Sequence, residues 1–214
     1  MSDETPTPAP PVAAKPASKP AEHKPAAPAA PAGPPDPPPP DGTALPAYIV
    51  ALQAALPDAV TQLSLFVGDW TVIVPVTRLL EVALQLRAQG FDTCSDVTAS
   101  DWPQRPQRFD MIYALYSIKD RTRVRVKVRA AEGEAVPSVS SVWPAANWLE
   151  REVYDMFGVT ITGHPDLRRI LMPDDWQGHP QRKDYPLEGP GELLMENPLD
   201  WLRLKQTANE AEIE

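Results

Sequence analysis

The chain has 214 residues, 28 of them proline and only one cysteine, and its formal net charge is −9 at pH 7. A single cysteine excludes an intrachain disulfide framework and an iron–sulfur cluster held by cysteines of this chain. The length allows one domain of ordinary size with extensions. No apolar run approaches the roughly 20 residues that span a bilayer, so we expect a protein that is soluble or held at a membrane by partners.

Charge is distributed unevenly along the chain. Residues 46–190 hold 15 basic and 18 acidic side chains and are nearly balanced, whereas the last 24 residues hold six acids and two bases. Nucleic-acid binding usually requires a basic surface, so this balance argues against nucleic acid as the main partner.

The first part of the chain, residues 1–44, is predicted to be a disordered Pro/Ala-rich tail. Fifteen prolines lie in the first 40 residues, and the stretch has too few apolar side chains to offset its ordering entropy. It has neither the apolar segment of a secretory signal nor the Arg-rich composition of a mitochondrial presequence. It is either a solvated extension that adds nothing to stability or, through its PxxP spacings, a docking segment.

Residues 45–158 are predicted to form an α+β domain with two layers, in which helices cover one face of a mixed five-stranded sheet. The predicted elements are, in chain order, a helix from Pro46, a hairpin over 61–67 and 70–74, a helix capped by Thr77 and ended by Gly90, a strand from Phe91, a hairpin over 108–118 and 122–130, and a helix from Pro144 to Gly158. Cys94 is expected in the core or sheet, as an inert residue rather than a reactive thiol.

The second strand of the second hairpin alternates strictly. Val124, Val126 and Val128 point to one face, and the other face carries Arg123, Arg125, Lys127 and Arg129. The basic face is either solvated or a contact surface for an acidic partner element.

After Gly158 the periodicity fades, and six prolines lie between Pro165 and Pro198. We therefore predict an extended, non-helical C-terminal arm over residues 159–214. An arm of this length usually carries function or wraps a partner, so it is expected not to pack on its own domain but to be ordered by partner subunits.

The stretch 147–189 has the residue types of an active site and contains Gly-His-Pro twice. A metal site is disfavoured because His164 and His179 lie 15 residues apart, each before a proline, with no short-spaced third ligand. Turn-capping, buried or interface histidines explain them instead. The stretch has neither the Gly-x-Ser-x-Gly motif of a nucleophilic serine nor a Gly-rich phosphate-binding loop. No sequence pattern places a general base beside Cys94.

A protein-binding surface explains the stretch better than catalysis. Arginine and aromatic residues are enriched at interfaces, and Arg pairs with carboxylates through two parallel hydrogen bonds. The predicted interface residues are Glu150, Arg151, Glu152, Asp155, His164, Arg168, Arg169, His179, Arg182, Lys183, Asp184 and Tyr185.

The same residues resemble a known family signature. Glu150, Arg151, Glu152, Asp155, Met156, Phe157, His164, Arg168, Ile170 and Leu171 match it in order, and 178–189 resembles its Gly-His-Pro-x-Arg-Lys-Asp-aromatic-Pro-Leu run. This signature is typical of the C subunit, the 30 kDa subunit, of the proton-pumping NADH–quinone oxidoreductase, respiratory complex I. The resemblance covers roughly residues 46–195.

The resemblance implies a non-catalytic subunit of the peripheral arm, at the cytoplasmic face of the bacterial membrane. Such a subunit has no cofactor, packs against the D subunit, which helps form the quinone site, and lies near the iron–sulfur subunits of a complex that also binds flavin. The alternative is an accessory subunit of a related membrane-bound hydrogenase.

Overall fold

A computed structural model describes residues 36–187; the rest of the predicted tail and arm lies outside the described residues. The elements are α1 (Ala47–Ala55), β1 (Gln62–Phe66), β2 (Asp69–Val74), α2 (Leu79–Ala88), β3 (Thr93–Asp101), β4 (Phe109–Ser117), β5 (Thr122–Ala130), β6 (Val136–Pro137), α3 (Ala146–Phe157) and β7 (Ile161–Thr162). None of the helices between residues 36 and 187 is long and apolar enough to span a bilayer.

Five strands form one sheet in the order β1-β2-β5-β4-β3. The β1–β2, β4–β5 and β3–β4 pairs are antiparallel, while β2 and β5 are parallel, with Trp70 opposite Val124. The predicted mixed five-stranded sheet and both hairpins are confirmed. A second, two-stranded parallel sheet of β6 and β7 was not predicted, because strands of two residues have no readable periodicity.

The core lies between one face of the sheet and the helices. Val124, Val126 and Val128 of β5 are at most 2% exposed and pack with apolar residues of all three helices. The predicted α+β class, with helices on one face, is confirmed. Burial of alternate side chains on β5 explains why its pattern could be read from the sequence.

The sequence predicts the end of α3 correctly but not the start of α2. Gly158 ends α3 in the left-handed region, with φ +77°, as predicted for a C-terminal glycine. Thr77 does not cap α2, and that prediction is wrong. Pro75 instead starts a short 3₁₀ turn over Val76–Arg78, and α2 follows it with no side-chain cap.

Part of the basic face of β5, at Lys127 and Arg129, contacts the chain's own N-terminal segment, whereas Arg123 is exposed. The Asp36 carboxylate accepts hydrogen bonds from Lys127 Nζ at 2.5 Å and Arg129 Nη2 at 2.7 Å. The backbone carbonyl of Asp36 accepts a bond from the Gln62 amide, and that of Pro37 accepts one from Leu65 N–H. Neither sequence alternative for this face, solvent or an external partner, describes Lys127, which is buried.

Asp36 lies within the stretch 1–44, which is predicted to be a solvated extension, yet its carboxylate is bound to the sheet. Burial alone would raise the pKa of Asp36, but the hydrogen bonds and charges of Lys127 and Arg129 lower it overall. The ionised carboxylate is therefore the form that the sheet binds.

We predict that Asp36→Asn destabilises the full chain by about 1–3 kcal/mol, because the buried Lys127 then loses its charged hydrogen-bond acceptor and keeps only the Asp110 carboxylate, at 3.8 Å. Asp41→Asn is the matched control, since Asp41 is exposed in a turn, and should stay within about 0.5 kcal/mol of wild type. Urea denaturation of the three proteins measures both. Equal midpoints for all three would mean that Asp36 does not anchor the segment.

Candidate functional site

The candidate site is the arm over residues 159–187 together with helix α3, on which it lies. Two of the predicted interface carboxylates, Glu150 and Asp155, project from α3 and are 0% exposed. Because a buried carboxylate must be paired or hydrogen-bonded, their partners define the site.

Asp155 binds the middle of the arm. Its Oδ2 accepts hydrogen bonds from three consecutive backbone N–H groups, those of Ile170 (3.0 Å), Leu171 (2.8 Å) and Met172 (2.8 Å). Its Oδ1 accepts a bond from Arg169 Nη1 at 2.7 Å. Burial would raise the pKa of Asp155, but these four donors lower it overall, so the carboxylate is ionised.

Glu150 lies about one and a half helical turns earlier and faces the loop before α3. Its carboxylate accepts hydrogen bonds from Ser138 Oγ at 2.6 Å and from Val139 N–H at 2.7 Å. Burial raises the pKa of Glu150 despite these bonds. The site thus contains two buried carboxyl groups whose pKa values move in opposite directions, because Asp155 has more donors.

His164 is held by backbone groups at both ring nitrogens. Its Nε2–H donates to the carbonyl of Asn147 at 3.0 Å, and its Nδ1 accepts from Asp166 N–H at 3.1 Å. The ring is buried, and Nε2 lies 3.9 Å from Glu150. His164 therefore closes the first turn of the arm onto α3, one of the roles expected for it.

The second Gly-His-Pro closes the arm onto the end of α3. His179 Nδ1–H donates to the carbonyl of Asp155 at 2.9 Å, and Gln181 N–H donates to that of Met156 at 3.0 Å. The His179 ring lies directly over Gly158, where a Cβ would come within 2.6 Å of it. Gly158 is thus required both by its positive φ and by the close approach of the histidine.

The far part of the arm is bound at the ends of β3 and β4. Arg108, with a side chain 8% exposed, pairs with both carboxylate oxygens of Asp101 at 2.7 and 2.8 Å and with Asp184 at 2.9 Å. Asp101 also accepts the Lys183 backbone N–H at 2.8 Å. Arg182 pairs with Asp184 and Glu132.

The expectation that the arm does not pack on its own domain is therefore wrong for residues 159–187. Its prolines prevent helix formation, as predicted, but its backbone N–H groups find acceptors in Asp155 and Asp101. A segment without regular structure can pack on its domain when buried side chains take its hydrogen bonds.

The other predicted interface residues have mixed surroundings. Arg151 donates to the carbonyls of Arg168 and Arg169. Lys183 Nζ lies 4.8 Å from the centre of the Trp102 ring, and Tyr185 donates to the carbonyl of Gln177. Arg168 forms only an exposed pair with Asp166, and Glu152 has no hydrogen bond within residues 36–187. Whether any of the twelve contacts a partner stays a prediction.

Sequence reasoning missed Asp101, Arg108 and Glu132, which hold the end of the arm. Asp101 is the last residue of β3 and Arg108 directly precedes β4, so the two lie on either side of a loop with two prolines. Opposite charges at the facing ends of neighbouring strands are the signal that could have found this pair. Glu132 has no comparable signal.

The chemistry of the site is that of attachment. In the described part of the chain no group of three or more His, Cys, Asp or Glu side chains is placed to hold a metal ion. Grooves of about 860, 300 and 350 Å³ are lined by residues outside 147–189.

Burial raises the pKa of Cys94 to about 12, so its thiol is protonated and inert at neutral pH. The surface left outward carries large apolar side chains, with Trp148 70% and Leu171 59% exposed.

We predict that Gly158→Ala destabilises the chain by more than about 2 kcal/mol, because alanine adds a clash with His179 to the strain of a positive φ. Gly163→Ala is the matched control: Gly163 has φ +73°, but an added methyl group would meet nothing within 4 Å, so only the strain of about 1–2 kcal/mol applies. Thermal unfolding measures both. A larger loss for Gly163→Ala would contradict the packing of His179 on Gly158.

The attachment of the arm should also depend on pH. Hydrogen bonds from Arg108 and Arg182 lower the pKa of Asp184, and those from Arg108 and Lys183 outweigh burial to lower the pKa of Asp101. Stability from a carboxyl with a lowered pKa is present above its unfolded pKa, near 3.8, and is lost as pH falls through the folded value. Hydrogen exchange of the Lys183 amide, corrected for intrinsic rate, should show protection at pH 5 that is reduced at pH 3. The β5 amides serve as the internal reference, and equal protection of Lys183 at both pH values would refute this anchor.

Comparison with known proteins agrees with the geometry and the motif. Residues 72–191 match the family model described as respiratory-chain NADH dehydrogenase, 30 Kd subunit. The C subunit of the NADH-quinone oxidoreductase of Geobacter metallireducens is 48% identical over 147 residues, which cover 67% of this chain and 90% of that protein. The corresponding C subunit of Hyphomonas neptunium is 43% identical over 155 residues, covering 70% and 75%.

A solved structure shows the same fold. A chain of the membrane-bound sulfane sulfur reductase, an archaeal respiratory membrane complex, superposes with a TM-score of 0.58 at 24% identity, covering 65% of this chain and 84% of that one. The family match over more than half of the chain, with relatives this similar, leads to one conclusion: the chain belongs to the 30 kDa subunit family of the respiratory-chain NADH dehydrogenase.

Proposed function

We propose that the chain is a non-catalytic structural subunit of the peripheral arm of a proton-translocating NADH–quinone oxidoreductase. Its relatives are named as the C subunit of NADH-quinone oxidoreductases, which supports membership of a complex with several subunits. In this proposal the chain packs against the quinone-site D subunit and is held at the cytoplasmic face of the membrane through the complex.

One observation carries the non-catalytic part of the proposal: the charged residues of the motif are largely used inside the chain. Asp155 has four donors, Arg108 has three carboxylate partners, and both His164 ring nitrogens bond to backbone. A general acid or base needs to be within hydrogen-bond reach of a substrate, and these groups are already occupied by the arm. Their joint effect is to hold an extended segment in one shape.

The surface that results is suited to a protein partner. Trp148 on α3 and Leu171 on the arm are exposed, and exposed aromatic residues are over-represented among the residues that dominate binding energy. Asp166 and Arg168, which precede Leu171 on the arm, form an exposed charge pair of the kind found in the polar rim of an interface. A rigid surface loses less entropy when it binds, which supports a role of the anchored arm in assembly.

The proposal includes the absence of a cofactor in this chain, with the flavin and iron–sulfur clusters in partner subunits. The single Cys94 is buried and protonated and cannot act with other thiols of this chain. The purified chain should show no visible absorption band, and elemental analysis should find well under one metal ion per chain. One bound metal or flavin per chain would refute this part.

We predict that Arg182→Ala reduces assembled complex while leaving turnover per assembled complex nearly unchanged. Arg182 pairs with two carboxylates, Glu132 and Asp184, that are 57% and 53% exposed, so its removal should cost on the order of 1 kcal/mol and loosen the end of the arm. Arg168→Ala is the matched control, since its pair with Asp166 is exposed and contributes less than about 1 kcal/mol. NADH–quinone activity, normalised to complex on a native gel, measures both.

Trp148→Ala tests docking separately from folding. The Trp148 side chain is 70% exposed, so removing it should change a partner contact more than the folded chain itself. The substitution should lower assembled complex with an unchanged thermal midpoint of the isolated chain. Intact assembly combined with a loss of normalised turnover by orders of magnitude, in either variant, would show that the site does chemistry.

A further inference from the structure

The largest groove that we describe lies at the end of the sheet away from the arm. It has a volume of about 860 Å³ and is bordered by α1, the β1–β2 turn and the β4–β5 turn. Tyr48, Trp70 and Phe91 line it, with the Tyr48 and Phe91 rings edge to face at 5.0 Å. The arm is bound at the opposite end of β4, a strand of nine residues or about 26 Å. We call this feature the turn-end groove.

The rim of the turn-end groove exposes large apolar side chains. Phe66 is 61%, Val67 86%, Ile118 62% and Val50 51% exposed. Each lies within two residues of one that lines the groove. Single exposed apolar residues are ordinary on a protein surface, but a group of them around a groove is typical of an interaction site.

Val67 adds a second kind of evidence. It has φ +51° and is followed by Gly68 with φ +85°, so the two form a tight hairpin turn with both residues in the left-handed region. Asn-Gly is the favoured pair in such a turn, and a β-branched residue at positive φ is an outlier. Val67 is nearly fully exposed, so packing within residues 36–187 does not compensate for this strain. A contact made outside the chain would account for an apolar residue here.

The charges around the groove indicate the sign of its partner. Lys119, Arg121 and Arg123 lie in and beside the β4–β5 turn and have no ion pair with the residues that the structure describes. Of the nearby acids, Asp69 pairs with Arg125. Asp120 and Asp92 bond to neutral donors, Ser117 and the Ile118 N–H, and keep their charge, so three bases face two acids. The rim is therefore net positive and complements an acidic segment.

We propose that the turn-end groove is a second docking surface, which takes an acidic segment with apolar side chains from another subunit of the complex. This inference rests on the proposed function, since it needs the chain to sit among other subunits. Residues 188–214 of the chain itself are also acidic, and at about 3.3 Å per residue they are long enough to reach the groove, so crosslinking has to distinguish them from another subunit. A second copy would bring two positive rims together.

Site-specific photocrosslinking in the intact complex tests the proposal. Benzoylphenylalanine replaces Phe66 or Ile118 in the full chain, with Leu84, exposed on α2 away from the groove, as a control and Trp148 as the reporter for the first surface. We expect residues 66 and 118 to crosslink to one segment of a different subunit that has more acids than bases, and residue 84 not to do so.

Crosslinks from residue 66 or 118 to residues 188–214, to a second copy or to nothing, while residue 148 crosslinks to a neighbouring subunit, would overturn this inference and leave the proposed function standing. Failure of residue 148 as well, with the chain absent from the complex, would overturn both.

Val67→Asn should change the stability of the isolated chain and its incorporation into the complex in opposite directions. Asparagine adopts positive φ more readily, so the thermal midpoint of the isolated chain should rise, while incorporation into the complex in competition with co-expressed wild type should fall about threefold or more. Leu84→Asn removes another large exposed apolar side chain and should leave incorporation unchanged. The double variant Arg121→Glu/Arg123→Glu should lower incorporation further. Unchanged incorporation of Val67→Asn and of the double variant would overturn the proposal.

Discussion

The buried carboxylate of Asp155 is the constraint on which the C-terminal part of the described chain depends. A proline-containing segment cannot satisfy its backbone N–H groups by forming a helix. Asp155 supplies one oxygen to three consecutive N–H groups and the other to Arg169, and its own helix position is fixed by the core residues Val153 and Met156. The arm is thereby tied to the hydrophobic core through one side chain.

The same arrangement recurs twice at other edges of the domain. Asp101 accepts the Lys183 N–H at the end of β3 while pairing with Arg108, and Asp36 joins the N-terminal segment to Lys127 on the open face of the sheet. In each case a segment without regular structure is attached in one of two ways. A charged side chain of the segment pairs with a buried opposite charge, or a backbone N–H of the segment donates to a buried carboxylate. A buried charge without a partner raises the free energy of the folded state, so each of these charges is matched by specific partners.

These contacts explain why a stretch with the composition of an active site supports a structural role. Most of its buried acids, bases and histidines hold the arm or the loop before α3, and large apolar side chains, Trp148 and Leu171, face outward beside the exposed pair of Asp166 and Arg168. A second exposed apolar group, around Val67 and Ile118, lies at the other end of the sheet. A small domain with two separated apolar surfaces and an internally paired motif is the form expected of a subunit that connects neighbours.

Residue order alone was enough to predict the local features: the α+β class, the two hairpins, the buried face of β5, the end of α3 at Gly158 and, through its motif, the family. These depend on residue types within a few positions of each other, which is where periodicity and turn chemistry act. The ionic contacts, by contrast, follow from the three-dimensional fold. Arg108 and Asp184 are 76 residues apart and Lys127 and Asp36 are 91 apart, and any of the chain's many acids could have paired with any base. The sequence therefore identified the charged residues on β5 and in the motif, but it could not identify their partners. A charge interacts through space, so its partner is whichever opposite charge the fold brings within about 4 Å.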